Sequence, residues 1–136
     1  MNYTKALSPL LKKEFPDVLL SDSDNPFATF KSPNNEITIS ILDDGNEITV
    51  FTGNDPSHFH LSIDNYLENT EEEKLARLSD ELFSYLRKIF NNEYEYFSGT
   101  FLFFFNFSGI KPKSQKYNGC FSKLMRIKIN KTWTWT

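Results

Sequence analysis

The sequence predicts an α+β fold: one domain spanning residues 1–136, a mostly antiparallel curved sheet of about six strands, and helices packed on one face. Two observations carry this. Residues 70–92 hold one long apolar stripe at helical spacing, whereas residues 27–63 hold short alternating runs separated by turn residues. The order is helix, four strands, helix, then two or three strands.

Near the start, Leu7, Leu10, Leu11 and Phe15 recur at helical spacing. Ser8-Pro9 reads as N-cap and first turn of this short helix, and Pro16 ends it. Ser21 to Pro26 is a loop. FATFKS and EITISIL follow as strands around Pro33-Asn34-Asn35, with Ile37, Ile39 and Ile41 on one face. Asp43-Asp44-Gly45-Asn46 supplies positive-φ residues for a hairpin into EITVFT. Gly53-Asn54-Asp55-Pro56 then turns the chain into HFHLSI. There Phe59, Leu61 and Ile63 point one way, and His58, His60 and Ser62 the other.

Thr70 and Glu73 spell a capping box for the central helix, whose core stripe is Leu75, Leu78, Leu82, Tyr85, Leu86, Ile89 and Phe90. After it, YEYFSGTFLFFFNF reads as strand. Phe101, Phe103, Phe105 and Phe107 are expected in the core, with Leu102 and Phe104 covered by helices or another chain. The loop Ser108 to Gly119 leads to KLMRIKINKTWTWT, a long alternating strand running almost to the end.

Hydrophobic residues at 39% and charged residues at 24% suit a soluble globular chain. Ala6 to Leu11 is too short for a signal-peptide core, and the longest apolar run, Phe101 to Phe105, is strand length. A lone Cys120 excludes an internal disulfide framework, so a reduced, cytoplasmic setting is expected. The net charge of −3 conceals a division: residues 1–95 hold all 18 acids and 8 bases (−10), and residues 96–136 hold 7 bases and no acid (+7). Such asymmetry points either to a basic end folded against an acidic one or to an acidic surface facing a partner.

His58 and His60 are the two histidines, and strand geometry puts them on one face, close enough to share a metal. A catalytic metal site needs a third ligand, and the cupin barrels that open with H-x-H carry a further histidine that is missing here. No metal and no cofactor are expected. There is no G-x-S-x-G elbow and no phosphate-cradling glycine pattern, so no catalytic residue is assigned. The basic, aromatic C-terminal segment has the chemistry to stack on single strands, but the acidic remainder repels phosphate, so no nucleic-acid partner is expected. Protein binding is left. The carboxylates of the turns and helix start, among them Asp43, Asp44, Glu47, Asp55, Asp64, Glu68, Glu71, Glu72 and Glu73, could crowd one end of the sheet and steer a basic partner.

The stretch Glu47-Ile48-Thr49-Val50-Phe51, a turn, His58-Phe59-His60-Leu61, and an acidic-start amphipathic helix running into a new strand resembles small bacterial immunity proteins. These are the antidotes of polymorphic toxins, including those of contact-dependent growth inhibition systems. The likeness covers residues 36–105 as an order of elements and the H-x-H stretch as letters. It implies a cytoplasmic, non-enzymatic toxin inhibitor, a monomer or weak dimer that does not touch membranes. Its expected partner is a basic, nuclease-like toxin whose active site or substrate cleft it covers. The contacts it implies are Asp43, Asp44, Glu47, Asp55, Glu68, Glu71 and Glu72, with His58 and His60 at the edge. Type III-like secretion chaperones, which bind effector segments along apolar patches, share the small acidic α+β build and form the alternative. A small enzyme using carboxylates or the H-x-H pair is the third.

Overall fold

The computed structural model describes residues 1–42, 45–52, 58–116 and 119–136. Helix α1 (Tyr3–Glu14) begins earlier than Ser8-Pro9 suggests: the Asn2 side chain caps it by accepting from the Lys5 N–H at 3.0 Å. Pro9 therefore lies inside the helix, where it forfeits one backbone bond. Burial of Tyr3, Leu7 and Leu11 on one face outweighs that loss. The helix ends at Phe15, next to Pro16, as expected.

Strands β1 (Leu19–Leu20), β2 (Ala28–Lys31), β3 (Glu36–Leu42), β4 (Glu47–Thr52) and β5 (His58–Ser62) pair in sequence order as one large antiparallel sheet. Alternation sets the register. Ile39 lies opposite Val50 and Ile48 opposite Leu61, all four on the buried face. Helix α2 (Glu71–Phe90) crosses this face with Leu78, Leu82, Leu86 and Ile89 buried, and its Thr70–Glu73 capping box is formed in both directions. Phe15 meets Phe30, Phe83 and Phe90 edge to face at 5.7, 5.6 and 5.4 Å, closing the core between α1, α2 and β2.

The remaining strands form a separate small sheet rather than extending the first one. Strand β6 (Tyr94–Phe101) lies between β7 (Phe105–Pro112) and β8 (Lys128–Trp133). Its base joins the body. Tyr94 meets Tyr85 of α2 at 5.8 Å, and Trp135 packs on Phe90 at 5.1 Å. Asn35 accepts from the Trp133 indole at 3.2 Å. Beyond Phe97 the small sheet is an arm whose large side chains are exposed or half-buried. A short helix, α3 (Cys120–Leu124), interrupts the expected long C-terminal strand.

The phenylalanine run is the main correction. Residues 102–104 are a hairpin turn, so Phe101 pairs across with Phe105, and Phe103 and Phe104 project from the tip. Phe101, Phe105 and Phe107 do share one face, Phe105 stacked on Phe101 at 5.0 Å and Phe107 edge-on to it at 6.1 Å, but that face is not core. Gly99 lets β8 approach: a Cβ there would lie 2.3 Å from the Lys128 carbonyl oxygen and 3.0 Å from the Phe107 ring.

Candidate functional site

Alternation along β4 and β5 turns Glu47, Thr49 and Phe51 and, opposite them, Ser62, His60 and His58 to the face away from the core. His58 and His60 do share a face, their rings perpendicular and 4.3 Å apart. His60 lies directly across from Thr49, and Glu47 reaches along the strand to both. The Thr49 hydroxyl donates to Glu47 Oε1 at 2.7 Å, and His60 Nδ1 stands 2.8 Å from the same oxygen. His60 Nδ1 also lies 3.1 Å from Thr49 Oγ1.

The carboxylate sets the direction in which these bonds run. An ionised carboxylate only accepts, and the Thr49 proton is committed to it, so His60 Nδ1 carries hydrogen and donates. Nε2 of a neutral His60 is then an acceptor, on a ring whose side chain is 45% exposed. The Thr49 bond, the largest effect, holds the Glu47 carboxyl below its usual pKa; burial opposes it, and the smaller His60 bond and the two imidazoles add to the lowering. The unit thus presents a negative charge and, on a neutral His60, an acceptor on an open sheet face. Chemically it can receive the N–H groups of a Lys, Arg or peptide, or take a proton. Among the described residues no three His, Cys, Asp or Glu side chains converge as a metal ion would require.

Glu68 and Glu71 engage the chain itself. Glu68 receives Arg77 at 2.6 Å, which holds its carboxyl below its usual pKa. Arg77 also meets Glu81 at 3.2 Å and lies over the Tyr66 ring, 5.2 Å from its centre. Glu71 accepts from the Tyr3 hydroxyl at 3.1 Å and pairs with Lys74 and the N-terminal amine. Burial, reinforced by Glu71, pushes the Tyr3 hydroxyl up to about 12. Glu72 is exposed on the first turn of α2. Asp43, Asp44 and Asp55 lie outside the described residues.

Some of the carboxylates do gather. The Ile63 N–H donates to the Asn46 carbonyl at 2.8 Å, bringing the turn that bears Asp64 beside the start of β4. Glu71 takes the Tyr3 hydroxyl, and Asp64 adds a smaller electrostatic push on the same group. Sequence reasoning missed Thr49, whose role exists only once β5 is in register, and Tyr3, which nothing local marks as the partner of a residue 68 positions away. Comparisons of this chain with protein-family models, with curated proteins and with solved structures find no match.

Proposed function

We propose that this chain works by binding another polypeptide, as an antidote that covers the active site or substrate cleft of a basic, nuclease-like toxin. One observation carries the reading: Glu47, Thr49 and His60 are locked to one another on an open sheet face, with His58 beside them. Side chains already fixed lose little freedom on docking, so their hydrogen bonds contribute more to affinity. An ionised Glu47 answers an Arg or Lys of the partner, and His60 Nε2 accepts a neighbouring N–H. The excess of acids in residues 1–95 steers a basic partner to the body.

The test is co-expression with the product of the adjacent gene, followed by purification and a growth assay. A one-to-one complex and rescue of growth are expected. Glu47→Lys is expected to slow association by roughly tenfold at low salt and to weaken rescue. A neighbour that neither binds nor is neutralised, or association indifferent to Glu47→Lys, contradicts the reading.

A further inference from the structure

The free end of the small sheet is an apolar point. Leu102 and Phe103 in its turn take φ of 49° and 71°, the left-handed region that glycine or asparagine normally fills. This turn instead displays bulky side chains: Phe103 is 73% exposed and Phe104 72%. The Leu102 N–H donates to the Met125 carbonyl at 2.8 Å, which fastens the end of α3 beside the turn. Helix α3 adds Phe121, 69% exposed, and Leu124, 75% exposed.

The charges around this end are of one sign. Lys123 and Arg126 flank Leu124, and Lys128 lies across from Thr100, two residues before the turn. The Arg126 guanidinium rests 4.7 Å from the centre of the Phe103 ring. Residues 96–136 contain no acid, and among the described residues none of these three cations makes an ion pair. The one arm lysine that does, Lys111, meets Glu95 at the base.

We propose that this end docks on an anionic phospholipid surface. Leu102, Phe103, Phe104, Phe121 and Leu124 enter the interfacial layer, and Lys123, Arg126 and Lys128 stay at the level of the phosphates. A bilayer accepts a convex apolar point without needing a matching pocket. Single-stranded nucleic acid, by contrast, is held in a groove with rings spaced for stacking, and this end is convex and includes two leucines. The charge division orients the molecule, since an anionic surface attracts the arm and repels the acidic body. No helix among the described residues is long and apolar enough to cross a membrane, so the contact is at the surface. The sequence expectation of no membrane contact rested on the lack of an apolar run long enough to span a bilayer, a ground that does not bear on contact at the surface. This inference is independent of the protein-binding reading.

Cys120, the single cysteine, is exposed at the start of α3 and accepts an environment-sensitive fluorophore on the full-length chain. Titration with phosphatidylserine-rich vesicles is expected to shift its emission to the blue. Salt should weaken the shift, and phosphatidylcholine vesicles should give little. Phe103→Ser with Phe104→Ser lowers partitioning by at least about tenfold, because two exposed rings lose their apolar burial. Lys123→Glu with Lys128→Glu, a second pair at exposed positions, is expected to do likewise, with circular dichroism confirming that each variant is folded. No shift, or binding as strong as the unaltered chain's by either double variant, overturns the proposal. So does a stronger, tip-dependent response to oligothymidylate, or tip-dependent self-association without lipid.

Discussion

The body and the arm are both antiparallel sheets, yet different forces hold them. In the body, Leu7, Leu11, Ile37, Ile39, Ile48, Leu82 and Ile89 are fully buried between the large sheet and two helices. In the arm, Tyr96 and Phe97 are buried near the base, and beyond them the strands rely on backbone pairing and on rings stacked at the surface. The body spends its apolar residues on stability. The arm displays them, keeps Leu102, Phe103 and Arg126 at positive φ, and carries cations without acids. A packed scaffold and an exposed arm are thus distinguishable by burial alone.

The contrast is broken most forcefully by truncating one apolar side chain in each region. Leu82→Ala is expected to cost about 2–5 kcal/mol in denaturant unfolding, and Phe104→Ser under about 0.5 kcal/mol. Equal losses would mean that the tip is core after all. Gly99→Ala places a methyl group against the Lys128 carbonyl and should cost about 1–3 kcal/mol. The loss should be local: hydrogen exchange quickens in β8, while the amides of α2 keep their protection. Leu102→Gly relieves one left-handed residue and is expected to stabilise the arm by up to about 1 kcal/mol. Loss of stability would show that the turn is not strained.

The mildest test concerns pH. Glu47 has a lowered folded-state pKa, so its contribution is present above the unfolded value of 4.5 and is lost as pH falls through the folded one. Thr49→Val removes the largest cause of the lowering. The Glu47 carboxyl, followed by NMR, should then titrate at higher pH. At the alkaline end the sign reverses. Tyr3 and Tyr85, each raised to about 12, contribute stability below pH 10 that is lost as pH rises toward 12. Burial raises Tyr66 and Tyr96 further still, so tyrosinate absorbance from these four residues should stay low at pH 11 while the chain is folded.

Most of the body was legible because each element states its own period. The isoleucines of β3 and the leucines of α2 alternate and recur without ambiguity, and Thr70–Glu73 marks a helix start by local chemistry. The arm was not, because its turn lacks the residues by which turns are recognised. Leu102-Phe103-Phe104 reads as the middle of a strand, and only pairing of Phe101 with Phe105 shows otherwise. Helix α3 hid inside an alternating pattern for the same reason: five residues are too few to establish a period. At the candidate site, the shared face of His58 and His60 followed from alternation alone. The link from Glu47 through Thr49 to His60 required a cross-strand register that no local spacing encodes.

The central claim is that the open face of β4 and β5 receives a protein partner. His58 and His60 are the two histidines of the chain, and Cys120 is its single thiol, so one labelling experiment reads the body and the arm separately. Diethyl pyrocarbonate and a thiol reagent would be applied to the free chain and to its purified complex with the co-expressed partner. The account predicts that both histidines are modified in the free chain and protected in the complex, with Cys120 reacting at an unchanged rate. Histidines modified equally fast in both states, or protection confined to Cys120, would contradict it.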